Sequence, residues 1–170
     1  MDNGIEIIEY EAATIVGIKY NYTIDDPDNL SMVQHLMHQY RLVDNVNMAL
    51  DAIAHETDSV AERRCLEQYF VVSGEFMLYG IDYNSGFFIP NDWAMYAVDK
   101  GLFVRTYIPY SKVGKHIEYM NMAIEFAREK KFMIDDMERP VIYKYAPTKE
   151  EDYFDTETTK LDLILNIPIR

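Results

Sequence analysis

The sequence predicts an α+β domain in which helices cover one face of an antiparallel sheet. Two observations carry that prediction. Apolar residues recur at helical spacing in two stretches, from Pro27 to about Ala54 and from Ser111 to Lys131. Around them lie short runs rich in β-branched and aromatic residues, so that strand, helix, strand, strand is followed by the same order again. The two copies would occupy about residues 5–85 and 90–169, a likeness of element order alone, with no residue-level repeat behind it. A length of 170 residues fits one such domain.

Ile5 to Tyr10 alternates loosely, and Thr14-Ile15-Val16-Gly17-Ile18-Lys19-Tyr20-Asn21-Tyr22 is dense in strand formers, so residues 5–22 read as one strand broken near Ala12-Ala13. Asp26 then caps a helix whose first position is Pro27, where the missing N–H costs nothing. Val33, Leu36, Tyr40, Val43, Leu50 and Ile53 continue its apolar face. Tyr69-Phe70-Val71-Val72 and Phe76-Met77-Leu78-Tyr79, parted by Ser73-Gly74, predict two strands and a turn. Trp93 to Tyr107 returns to strand character, with Gly101 as a bulge or bend. Pro109 precedes the second helix, capped by Ser111, whose apolar stripe is Val113, Ile117, Met120, Ile124 and Ala127. Val141 to Tyr145 and Leu161 to Ile169 supply the last two strands, with an acidic loop from Lys149 to Thr159 between them.

Composition narrows the function classes. Sixteen Lys and Arg against 29 Asp and Glu leave a formal charge of −13. Nonspecific nucleic-acid binding needs the opposite balance, because it works by neutralising phosphates. The first residues carry neither a basic region nor an apolar core of a signal peptide, and no apolar run is long enough to span a bilayer. A lone Cys65 agrees with a reducing compartment, and the expected location is cytoplasmic. Tyrosine is the anomaly, at 14 residues beside 8 Phe and a single Trp.

Pro90-Asn91-Asp92-Trp93-Ala94-Met95-Tyr96-Ala97-Val98, Lys100-Gly101, the helix from Ser111 to Lys131, Pro140-Val141-Ile142-Tyr143-Lys144-Tyr145 and the terminal Leu161 to Ile169 follow one another in a familiar order. In these segments the chain resembles the GyrI-like small-molecule-binding domain, the effector-binding half of some AraC-type and MerR-type regulators. The likeness is densest over residues 90–170. It implies two pseudo-symmetric βαββ halves with a groove between them that takes small amphipathic or cationic molecules. In such regulators, which include multidrug-binding ones, a DNA-binding segment precedes the domain. Here the likeness occupies nearly all of the chain, so a stand-alone domain over residues 1–170 without direct DNA contact is expected.

One departure bears on the ligand. Family members end the penultimate strand with aromatic-Glu-x-Tyr, and that Glu partners cations. Aligning Tyr145 with the family Tyr puts Tyr143 at the acidic position. Strand alternation places Tyr143 and Tyr145 on one face, with Ile142 and Lys144 on the other. A phenol, with a reference pKa of about 10, supplies a hydrogen bond or a π face rather than a full charge.

The candidate ligand-binding set is therefore Tyr143, Tyr145, Tyr96, Trp93, Tyr20 and Tyr22, all on strands expected to border the groove, with Glu75 as the nearest strand acid that could replace the missing Glu. The plainer alternative is that several are ordinary sheet tyrosines and that Glu75 is a solvated edge residue. His35 and His38 lack a third ligand, Asp82-x-Asn84-x-Gly86 stops short of a calcium loop, and Gly114-Lys115 lacks the rest of a phosphate loop. Neither a metal nor a cofactor is expected. The leading expectation is noncatalytic binding or sensing of a small aromatic or amphipathic molecule. The alternatives implied by the resemblance are hydrolysis of strained small molecules with a pocket Glu as base, and action through a protein partner in the manner of a gyrase inhibitor.

Overall fold

The computed structural model describes residues 4–21, 68–83, 91, 93–147 and 161–170. In chain order these form β1 (Ile5–Tyr10), β2 (Ala13–Asn21), β3 (Gln68–Val72), β4 (Phe76–Asp82), β5 (Ala94–Val98), β6 (Gly101–Ile108), a 3-10 segment (Tyr110–Lys115), α1 (His116–Glu129), β7 (Val141–Pro147) and β8 (Leu161–Pro168). All strand pairs are antiparallel, in the order β1-β6-β8-β7-β3-β4-β2-β5, so the α+β class predicted from the sequence holds. The helix predicted from Pro27 to Ala54, together with Cys65, His35, His38 and the acidic loop, lies outside the described residues.

The break expected near Ala12-Ala13 is where the chain bends without losing register. Ile5 lies opposite Thr106 and Tyr10 opposite Gly101; beyond the bend, Ala13 lies opposite Val98 and Gly17 opposite Ala94. Strands β1 and β2 are thus two arms of one long ribbon strand, and β5 and β6 are the two arms of its partner. The other edge of β6 takes β8, and the other edge of β2 takes β4. The two ends of the strand order therefore meet at this ribbon, and the sheet curls round upon itself. Lys100 sits at the bend, 3.4 Å from Glu9 and 3.6 Å from Glu11, and these carboxylates raise its pKa. Such exposed pairs add little stability.

Curling gives each face its own core. On one face α1 covers Val104, Ile108, Leu163, Leu165 and Ile167 with the small residues Ala123 and Ala127. On the other, Ile15, Tyr69, Val71, Leu78, Val98, Phe103 and Ile142 pack together. Thr106 alternates with Val104 and Ile108 on the helix face; it is fully buried, and its hydroxyl has no hydrogen-bond partner among the described residues. Where β2 meets β4, Gly17 lies opposite Gly80. A Cβ added to Gly17 would land on the Tyr79 carbonyl, and one added to Gly80 on the Val16 carbonyl, so the backbones approach closer than any side chain permits.

The start of α1 corrects the sequence-based expectation. Ser111 caps nothing; the chain enters through the 3-10 segment, and the N–H of Tyr110 donates to Asp162 Oδ1 at 2.8 Å. That carboxylate, buried on β8, also accepts from the Tyr107 hydroxyl. The expected apolar stripe holds for Val113, Met120, Ile124 and Ala127, which face the core with Ala123, while Ile117 in the first turn of α1 is left exposed. The expected turn at Ser73-Gly74 does form: Ser73 Oγ accepts from the backbone N–H groups of Glu75 and Phe76, both at 3.1 Å.

Arg139 fastens the segment after α1 to the sheet. Its Nε donates to Asp135 at 2.9 Å, and its Nη2 donates to the carbonyls of Ile169 and Leu102 at 2.7 and 3.0 Å. Its guanidinium lies 4.9 Å from the Phe103 ring centroid. A Cβ on Gly101 would collide with that guanidinium, so Gly101 leaves room for the arginine at the start of β6.

Candidate functional site

The two central strands of the order, β7 and β3, carry the candidate site. Tyr143 lies opposite Phe70, and Phe70 lies opposite Tyr79 of β4, so the three share one face in a row across the sheet. Tyr145, two residues along β7, stands on the same face. Its ring meets that of Phe70 edge-on at 5.7 Å and 71°, while Phe70 and Tyr79 are 4.3 Å apart at 37°. These separations fall in the range where aromatic pairs attract beyond simple area burial. The face is the helix face: Tyr143 and Tyr145 pack against the core beneath α1. Ile142 and Lys144 point the other way, Ile142 into the second core and Lys144 towards the Tyr69 ring at 5.8 Å, as strand alternation requires.

Burial sets the electrostatics of this aromatic floor. Tyr79 is almost wholly buried, Phe70 nearly so, and Tyr143 and Tyr145 half-buried. Desolvation pushes the Tyr145 phenol above its usual value, and desolvation with the neighbouring Tyr145 pushes Tyr79 higher still. Both phenols thus stay neutral at a pH where a free tyrosine begins to ionise. Chemically the floor offers π faces and hydroxyl groups, which suits stacking and hydrogen bonding.

The remaining sequence candidates are dispersed. Tyr96 on β5 lies opposite Ile15, on the other face of the sheet, with its ring 5.0 Å from Phe76. It therefore does not join Tyr143 and Tyr145, because β5 enters the sheet with the opposite alternation at that position. Desolvation and nearby Asp99 raise its pKa. Trp93 is buried just before β5. Tyr20 has a register position opposite Met77, and Tyr22 lies outside the described residues. Glu75 is exposed in the turn between β3 and β4, away from the floor. Phe70 and Tyr79 were not among the candidates. Each occurs in an apolar burst whose alternation was readable, but nothing local says that β3 pairs with β7. Among the described residues no cluster of His, Cys, Asp and Glu could hold a metal, and no helix is long and apolar enough to cross a membrane.

Two clefts open elsewhere. One of about 410 Å³ lies at the ribbon bend, near Tyr10, Asp82 and Arg105; another of about 530 Å³ lies beside the start of α1. Neither is lined by the four aromatics of the floor.

No protein-family model and no curated protein matches the chain. Solved structures do. The EcmrR C-terminal domain aligns over 100% of this chain and 99% of its own, at TM-score 0.59 and 4% identity. SAV2435, solved bound to tetraphenylphosphonium, aligns over 98% of this chain and 93% of its own, at TM-score 0.56 and 12% identity. A hydrolase from Listeria innocua aligns over 99% and 92%, at TM-score 0.52 and 11% identity. At such identities the likeness is one of fold, and the same fold carries both ligand-bound and hydrolase neighbours.

Proposed function

We propose that the chain is a GyrI-like effector-binding domain that takes a small aromatic or amphipathic molecule on the floor of Tyr143, Tyr145, Phe70 and Tyr79, without catalysing its conversion. The observation that carries this is the gathering of four aromatic side chains on one face of the two central strands and their neighbour. Fold likeness to SAV2435, which was solved with a lipophilic aromatic cation, supports a small-molecule role. Two related halves are supported by the strand order itself. Exchanging β1 with β5, β2 with β6, β3 with β7 and β4 with β8 returns the same order reversed. The floor then lies at the junction of the halves, where β3 of one meets β7 of the other.

The ligand's aromatic surface dominates recognition, and its charge is secondary, because Tyr143 occupies the position where the family carries Glu. The same substitution argues against hydrolysis: a neutral phenol is a poor general base near neutral pH. Calorimetric titration with tetraphenylphosphonium and with neutral triphenylphosphine oxide tests both points. Wild type should bind the two within a few-fold of each other, and Tyr143→Glu should raise the affinity for the cation about tenfold, as one added charge contact of ordinary strength would. Equal affinities across all four pairings would sink the charge argument. Binding that survives Tyr143→Ala together with Tyr145→Ala would move the site elsewhere.

A further inference from the structure

The cleft of about 530 Å³ beside the junction of β6, the 3-10 segment and α1 has a lining unlike the aromatic floor: Tyr107, Lys112, Lys115, Glu118, Tyr119 and Met122. Its volume lies within the usual range for small-molecule sites, about 300–1,000 Å³. Large apolar side chains left exposed concentrate here, with Tyr107 and Met122 in the lining and Tyr110 and Ile117 on the adjoining turns. Tyr107 is 46% exposed, yet its hydroxyl is tied down, donating to the buried Asp162 carboxylate that also takes the Tyr110 N–H. An aromatic wall held in place while still accessible has already met part of the ordering cost of binding.

Charge defines the ligand class. Lys112 makes no ion pair among the described residues, and Lys115 lies 3.9 Å from Glu118. Two ammonium groups against one engaged carboxylate reverse, locally, the sign of a chain whose formal charge is −13. Asp162 keeps its charge but is buried and outside the lining, so the charged groups a ligand meets at the wall are Lys112, Lys115 and Glu118. A neutral ligand would leave Lys112 without a counter-charge.

We propose that this cleft is a second binding site, for a small amphipathic anion: a carboxylate or sulfonate whose aromatic or alkyl part lies against Tyr107, Tyr119 and Met122 and whose charge meets Lys112 and Lys115. The site shares no residue with the aromatic floor and does not depend on the function assigned there.

Titration of the full chain with 8-anilinonaphthalene-1-sulfonate, followed by fluorescence and by amide shifts in two-dimensional NMR, tests it. Apart from any shifts on the aromatic floor, a set centred on Tyr107, Lys112, Lys115 and Met122 should saturate with one molecule in the cleft. The double variant Lys112→Glu, Lys115→Glu should weaken binding about tenfold or more, through loss of two charge-assisted contacts. Both lysines are exposed, so folding should survive, and Met122→Gln gives an independent apolar test with the same expected direction. Tyr143→Ala should leave the cleft shifts and their affinity unchanged, and tetraphenylphosphonium should not displace them. Unchanged cleft affinity in the charge-reversed variant, shifts confined to the floor around Tyr143 and Tyr145, or loss of the cleft shifts on adding tetraphenylphosphonium would each overturn the assignment.

Discussion

Replacing Thr106 by Val should make this protein more stable. The hydroxyl is fully buried on β6, alternating with Val104 and Ile108 beneath α1, and has no hydrogen-bond partner among the described residues. A buried, unpaired hydroxyl costs about 1–3 kcal/mol of lost hydration. Valine keeps the β-branched shape that suits the strand and puts a methyl where the oxygen was, worth up to about 0.8 kcal/mol of further apolar burial. Allowing for a methyl slightly larger than the hydroxyl, the net gain should be about 1–2 kcal/mol. For a chain of this length each kcal/mol moves the melting temperature by about 2–4 °C. Urea unfolding should therefore show a higher midpoint at an unchanged slope, and thermal unfolding a rise of about 2–8 °C. Thr106→Ser is the control: it keeps the orphan hydroxyl and deletes the methyl, and should lose about 1 kcal/mol. If Val destabilises the protein while Ser does not, the hydroxyl is making a bond that holds the core, and the reasoning fails.

Three further outcomes follow from the packing. Gly80→Ala forces a methyl onto the Val16 carbonyl and should cost about 2 kcal/mol or more, read as a lowered urea midpoint; a neutral result would mean that β2 and β4 can part freely. Arg139→Met removes the donor to Asp135, Leu102 and Ile169 and leaves the carboxylate of Asp135 nearly buried, so a loss of about 3 kcal/mol is expected, and Arg139→Lys should recover only part of it. Alkaline pH should destabilise the fold through Tyr79 and Tyr145: their folded pKa values lie above the unfolded value of about 10, so nothing is lost below that, and stability falls as pH rises from about 10 towards the folded values. Each phenol contributes a slope of at most about 1.4 kcal/mol per pH unit, and urea unfolding of the Tyr79→Phe, Tyr145→Phe variant should show a shallower loss between pH 9 and 11.

Much of the local structure was legible. Strand formers marked β3, β4, β7 and β8 to within a residue or two at most ends, Ser73-Gly74 marked the turn, and alternation assigned Tyr143 and Tyr145 to one face. Where the reading failed, a distant residue decided the matter. Ser111 looked like a cap by residue type and by its place after Pro109; the chain instead starts a 3-10 segment at Tyr110, whose N–H is held by Asp162, 52 residues on. Ile117 fitted the apolar stripe by spacing, but the buried face centres on Ala123 and Ala127, which leaves Ile117 at its exposed edge. Tyr96 matched the other candidates in residue type, but register placed it on the opposite face.

By itself, the sequence determined the strands, the body of α1 and the face each β7 side chain takes, because propensity, alternation and turn chemistry act over a few neighbouring residues. Only the tertiary structure decided that residues 5–21 and 94–108 form one bent ribbon in unbroken register, and that β3 joins β7 at the centre of the order. That pairing turns Phe70 and Tyr79 from strand filler into a floor beside Tyr143 and Tyr145. Pairing between strands some 70 residues apart depends on which faces bury the most apolar surface together, a property of the whole chain that no single segment encodes.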